Sequence, residues 1–93
     1  DAYFIDTTFD GGTLFTYTLF EGWTDFQRAR FIKGCTFFNA DHMQKPIFRD
    51  SLFNIKLRST KYFTFPESAD LNTDGLPKGA RWGKFDNQGN PMP

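Results

Sequence analysis

Cys35 and His42 are the single cysteine and the single histidine of this 93-residue chain, and they are the side chains best suited to nucleophilic or metal chemistry. A thiolate nucleophile needs a base within hydrogen-bond reach. The seven-residue spacing between Cys35 and His42 neither builds nor forbids that contact. One Cys and one His cannot complete a four-ligand zinc site, and one Cys cannot build a disulfide framework. The structural reading therefore carries more weight: Cys35 as a small inward residue, and His42 as a core or edge residue able to make its layer pH-sensitive. No Gly-rich phosphate loop, nucleophile elbow, paired metal histidines or catalytic carboxylate pair occurs in the chain. These absences point away from an enzyme.

A second candidate is Asp70-Leu71-Asn72-Thr73-Asp74-Gly75. Oxygen-bearing side chains at positions one, three and five with Gly at six allow a loop to wrap calcium. The twelfth position is Arg81, where a bidentate carboxylate belongs. The expected role is a polar turn, and no cofactor is assigned. If calcium binds, Asp70, Asn72 and Asp74 are its ligands.

The third candidate is electrostatic. Eleven Lys and Arg balance eleven Asp and Glu, so the net charge is zero. The charges are segregated along the chain. Residues 1–27 hold Asp1, Asp6, Asp10, Glu21 and Asp25 with no Lys or Arg, a net −5. Residues 28–61 carry Arg28, Arg30, Lys33, Lys45, Arg49, Lys56, Arg58 and Lys61 against Asp41 and Asp50, a net +6. Residues 62–93 come to −1. The basic middle is the candidate partner-binding surface, for an acidic protein or for another part of a larger chain or assembly. Edge lysines that keep sheets from sticking are the alternative reading. The chain lacks an Arg-rich run, a recognition helix and an RNA-binding aromatic signature, which argues against nucleic acid. No apolar run approaches the roughly 18 residues of a membrane span.

These residues must be positioned by elements, and thirteen Phe indicate which. Cut every eleven residues, the chain places Phe4, Phe15, Phe26, Phe37 and Phe48 in one column and Phe9, Phe20, Phe31 and Phe53 in another, where His42 stands in for one Phe. Alternating spacings of five and six scatter around a 3.6-residue helix. Thr7, Thr8, Thr13, Thr16, Tyr17 and Thr18 favour strands. Asp10-Gly11, Glu21-Gly22 and Lys33-Gly34 read as turns. The domain is expected to be all-β. An antiparallel β-meander or small barrel would form hairpins at those turns; it would set Phe9 opposite Leu14 and bring unlike columns together. A solenoid with two blocks per coil would stack Phe4, Phe26 and Phe48, and likewise Phe9, Phe31 and Phe53. It would also place Phe15 on Phe37 and Phe20 on His42. The strict columns favour the solenoid, while the meander or barrel, with a ligand-binding interior, is kept as the alternative.

Phe4-Ile5-Asp6-Thr7-Thr8-Phe9, Ala29-Arg30-Phe31-Ile32-Lys33 and Cys35-Thr36-Phe37-Phe38-Asn39-Ala40-Asp41 resemble degenerate pentapeptide repeats, with an apolar centre and a small residue two positions before it. Ala29 before Phe31 and Cys35 before Phe37 match, Thr7 and Thr24 are variants, and Ala69-Asp70-Leu71-Asn72-Thr73 is a further single copy. The resemblance implies a right-handed β-helix of square coils. The family spaces its centres by five, whereas this chain often inserts a sixth residue; the resemblance is good over 1–44 and poor over 45–76. From Lys45 to Lys61 the small position holds Lys45, Asp50 and Ile55, which fit badly inside a narrow coil.

Residues 67–93 differ, holding three of the five Pro. The chain reads as one domain, with a repeat-built β part at 1–66 and a loop-rich C-terminal cap and tail at 67–93, where Trp82 and Phe85 pack back on the domain end. The expected function is a non-enzymatic module that presents a rigid surface to a protein partner in a scaffold or assembly role. The alternatives are a ligand-binding meander or barrel, or a calcium- or nucleic-acid-associated binding module.

Overall fold

A computed structural model describes residues 2–14, 23–37, 44–58, 63–65 and 69–93. Phe15, Phe20, His42 and Lys61 lie outside the described residues, as does the side chain of Lys45. The strands, in chain order, are β1 (Ala2–Tyr3), β2 (Thr8–Phe9), β3 (Thr13–Leu14), β4 (Trp23–Asp25), β5 (Arg30–Phe31), β6 (Cys35–Thr36), β7 (Gln44–Ile47), β8 (Leu52–Asn54), β9 (Phe63–Thr64), β10 (Arg81–Phe85) and β11 (Pro91–Met92). One 3-10 turn, Ile55–Leu57, is capped by the Asn54 side chain, which accepts from the Lys56 amide. The protein is all-β.

The strands visit three sheets in rotation. Sheet I is β1-β4-β7, sheet II is β11-β10-β8-β5-β2, and sheet III is β3-β6-β9. Every described strand pairing from β1 to β10 is parallel, while the β10–β11 hairpin and the isolated Leu71–Pro77 bridge are antiparallel. The register step is 22 residues: Ala2 faces Thr24, Phe9 faces Phe31, Thr13 faces Cys35, and Phe31 faces Phe53. A meander through Gly11 and Gly22 would require antiparallel neighbours there, and β1, β2 and β3 instead pair in parallel with β4, β5 and β6.

Alternation along such short strands sends every second side chain inward. The inward rings form the core as two face-to-face stacks. Phe26 lies between Phe4 and Phe48, with centroids 5.0 and 4.9 Å away and planes within 10° of parallel. Phe31 lies between Phe9 and Phe53, at 4.9 and 4.5 Å. Phe37 meets Phe26 and Phe48 edge-on, at 5.6 and 6.0 Å. Offset and edge-on contacts are the arrangements that the ring quadrupole favours.

The two Phe columns are joined by a repeated corner. Thr7, Ala29, Ser51 and Ala80 donate their amides to the carbonyls of Phe4, Phe26, Phe48 and Pro77. The third residue of each four-residue turn has positive φ: Asp6 at 60°, Arg28 at 57°, Asp50 at 58° and Gly79 at 91°. Positive φ at that position is the mark of a type II turn, which favours Gly. The fourth residue turns inward. Ala29 and Ser51 are fully buried, and the Ser51 hydroxyl donates to the Phe26 carbonyl at 2.7 Å. This corrects the small-residue frame expected over 45–61. Asp50 and Ile55 do not fill that position, because Ser51 occupies it while Asp50 stands exposed in the turn. The inserted sixth residue moves the frame by one.

The 22-residue step ends after β8, yet the columns continue. Cys35 pairs with Phe63, and Phe53 pairs with Trp82. Pro77-Lys78-Gly79-Ala80 followed by β10 repeats the turn-and-strand unit, and Ser51 accepts the Arg81 amide at 3.0 Å through its carbonyl. Trp82 packs against the core cluster, and Phe85 is buried.

Candidate functional site

Among the described residues, the basic residues singled out in the sequence sit on several elements. Arg28 sits at the corner between sheets I and II, with Arg49 in the next corner turn. Arg30 lies in β5, beside Thr8 and Leu52 on the outward side of sheet II. Lys33 and Lys56 are exposed and line a surface cleft of about 440 Å³ with Asp10, Ile32, Asn54 and Asp86. Arg58 places its guanidinium 6.0 Å from the Trp82 ring centroid. Lys45 belongs to β7.

Arg28 is already partnered. Its Nε and NH2 groups donate to the two carboxylate oxygens of Asp6 at 2.6 and 3.1 Å, and its NH1 donates to Gln27 Oε1 at 3.0 Å. Asp6 and Arg28 are 22 residues apart and meet because their corners stack. The hydrogen bonds from Arg28 hold the Asp6 carboxyl below the usual carboxylate range, and Asp6 in turn raises the Arg28 guanidinium. The acidic first third and the basic middle of the sequence thus cancel part of each other in space.

The chemically reactive candidates are placed as follows. Cys35 is buried in β6, and burial pushes its thiol up to about 12. A thiol held protonated at neutral pH is not a nucleophile. Asn72 is spent on its own loop. Its Oδ1 accepts the amides of Asp74 and Leu76 at 2.9 and 3.2 Å, and its Nδ2 donates to the Ala80 carbonyl at 3.0 Å. A cation would compete with two amides for that oxygen, while Asp70 and Asp74 are exposed. Beyond the loop, Asp86 Oδ1 caps the β10–β11 hairpin by accepting the Gln88 and Asn90 amides, each at 2.9 Å. Those bonds, led by Asn90, hold its carboxyl below the usual range. No helix among the described residues is long and apolar enough to cross a membrane.

With parallel stacking and inward small residues in place, the comparison with known families is specific. The family model described as pentapeptide repeats (9 copies) matches residues 1–41. This segment is similar to pentapeptide-repeat sequence. No curated protein and no solved structure is detectably similar to the chain. The matched segment contains β1 to β6, and thus the first two strands of each sheet.

One surface feature escaped the sequence reading. Tyr3, Ile5 and Trp23 are exposed large hydrophobic residues: Tyr3 belongs to β1, Trp23 to β4, and Ile5 to the corner turn after β1. The signal was present. If Phe4 and Phe26 point inward, alternation turns residues 3, 5, 23 and 25 outward.

Proposed function

We propose that the chain winds as a right-handed parallel β-helix with coils of about two eleven-residue blocks, closed at one end by residues 67–93. It works as a non-enzymatic module that presents fixed rows of side chains to a protein partner. The carrying observation is the 22-residue parallel register with face-to-face Phe stacks. A side chain on such a scaffold is already ordered, so less conformational entropy is lost on binding. The buried, protonated Cys35 supports a presenting role over a catalytic one.

Arg30, Lys33, Arg49 and Lys56 are the cations of the basic middle that we assign to contact with an acidic partner surface. Lys45 and Lys61 extend the same assignment. Arg28 and Arg58 belong to it as well, although one holds Asp6 and the other lies over Trp82. Titration with polyglutamate, read by amide chemical shifts, tests this. Shifts should gather around Arg30, Lys33, Arg49 and Lys56. They should vanish when these four are changed to Glu, with the β signal in circular dichroism retained. Shifts spread over the whole molecule, or retained after charge reversal, would remove the assignment.

A further inference from the structure

Sheet I stops short of its neighbour. Among the described residues its last strand is β7, while sheet II runs on from β8 to β10 and β11. β7 leads into the Phe48–Ser51 corner. The segment that leads into the next corner, Pro77–Ala80, is a loop tied by the Leu71–Pro77 bridge. A cleft of about 280 Å³ opens between β7 and this loop. Pro46, Ile47 and Ala69 form apolar walls, and all three are half-buried. Arg49 and Lys78 also line it, both exposed and neither with a side-chain hydrogen bond or ion pair among the described residues. Asp70 is the one carboxylate of the lining, so the cations outnumber it.

The cleft also interrupts a series of backbone bonds. At successive corners Phe4 donates its amide to the Asp25 carbonyl and Phe26 donates to Ile47, each at 2.7 Å. Phe48 is the next donor, and the residue before the next corner is Leu76. The Leu76 carbonyl instead accepts the Asn72 amide at 2.6 Å. Phe48 is 1% exposed and lines the cleft, and its amide has no acceptor among the described residues. An unpaired buried amide costs about as much as a lost hydrogen bond, so this donor is satisfied by an acceptor that enters the cleft. The series resumes directly afterwards. The Asp50 amide donates to Gly79 at 2.9 Å, and a Cβ on Gly79 would lie 3.1 Å from Arg49 Cα. Backbone therefore closes the path beyond Arg49.

These features define an occupant. A charged acceptor suits an amide flanked by Arg49 and Lys78. An apolar group suits the walls. Pro46 has no amide to donate, so a long added strand cannot ladder along β7. The close contact at Gly79 leaves no room for a chain to continue past Arg49. We infer that the cleft binds the C-terminal residue of a partner protein, an apolar one. Its terminal carboxylate accepts from the Phe48 amide and pairs with Arg49 and Lys78, and its side chain lies on Pro46, Ile47 and Ala69. Capture of a chain-end carboxylate by backbone amides is a recurring mode of peptide recognition. The site shares Arg49 with the acidic-surface assignment above, but Lys33 and Lys56 play no part in it, so each reading can fail without the other.

The probe is the peptide acetyl-Ala-Ala-Leu with a free carboxylate, titrated into the intact chain and followed by backbone amide resonances. The Phe48 amide proton should move downfield in a saturable manner, accompanied by Ile47 and Lys78. The same peptide capped as its C-terminal amide should bind at least about tenfold more weakly, because the charge-assisted bonds are lost. Arg49→Gln and Lys78→Gln should each weaken binding about fivefold, with the β signal in circular dichroism retained. Lys78→Gln should leave the polyglutamate shifts at Lys33 and Lys56 in place. Lys33→Glu with Lys56→Glu should leave tripeptide binding in place. The inference is overturned by a Phe48 amide that stays still at saturating peptide, by equal affinity for the capped peptide, or by wild-type affinity in both cation variants. Loss of tripeptide binding on charge reversal at Lys33 and Lys56 would also overturn it and return Arg49 to the basic surface.

Discussion

Thr24 and Ser51 are both fully buried hydroxyl residues, and the structure treats them differently. The Ser51 hydroxyl donates to the Phe26 carbonyl at 2.7 Å, so it ties one corner turn to the next. Thr24 Oγ1 is buried with no hydrogen-bond partner among the described residues. A buried polar group costs free energy unless it is bonded, while a neutral bond that is made contributes about 1 kcal/mol net. Two conservative changes should therefore have opposite signs. Ser51→Ala should lower stability by about 1 kcal/mol, because the Phe26 carbonyl keeps the Ala29 amide and loses the hydroxyl bond. Thr24→Val keeps the shape and removes the orphan hydroxyl, and should raise stability by about 1 kcal/mol. Urea unfolding of both variants reads the difference. Losses of the same sign and size would mean that the Thr24 hydroxyl is satisfied in solution.

At the scale of elements, the corner turn is the repeated joint. Asp6, Arg28, Asp50 and Gly79 all adopt positive φ, which L-residues other than Gly reach at a cost of about 1 kcal/mol or more. Gly79 has a second constraint: a Cβ there would lie 3.1 Å from Arg49 Cα. Gly79→Ala should thus cost about 2 kcal/mol through strain and backbone contact combined. Gly11→Ala and Gly12→Ala should be near neutral, since nothing lies within 4 Å of either Cβ position. Thermal melts of the three variants decide, and a Gly79→Ala protein as stable as the other two would remove the corner's claim to strain. The Phe columns were legible in the sequence because stacking in register repeats a residue type at a fixed spacing. The corner was harder to see. Residues 6, 28 and 50 keep the same 22-residue spacing, but Asp, Arg and Asp look like ordinary surface charges, and glycine enters the turn only in its fourth copy. The small-residue frame slipped over 45–61 because a count in fives passes over the inserted residue that brings Ser51 inside. The basic surface was read from an excess of charge along the chain. Charge excess carries no information on which face a side chain occupies, so the Asp6–Arg28 pair and the dispersal of the other cations were hidden. The aromatic patch on sheet I was open to the alternation argument that found the core.

On the scale of the whole molecule, the two ends of the stack are built differently. In each of the three sheets the first strand in sequence lies at an edge: β1, β2 and β3. At the other end, sheet II is carried on by β10 and β11, and Gly79 accepts the Asp50 amide at 2.9 Å. Local opening is easiest where backbone bonds are near the surface and packing lies on one side. If the chain winds as proposed, each coil is supported mainly by its neighbours, so an end coil with one neighbour is the least secure. Hydrogen exchange should therefore be graded along the stack. The amide of Leu52 joins the β8 and β5 segments, both interior in sheet II, and should exchange slowest. The amides of Phe4, Asp6 and Thr13 belong to the first coil and should exchange at least about tenfold faster. The gradient has a direction that the opposite end tests, because Arg81 donates to Ser51 at 3.0 Å and belongs to a strand covered by the hairpin. Its amide should follow Leu52 rather than Phe4. Equal protection of Phe4 and Leu52 would mean that the stack opens as one cooperative unit, and faster exchange at Arg81 than at Phe4 would reverse the assignment of the weaker end.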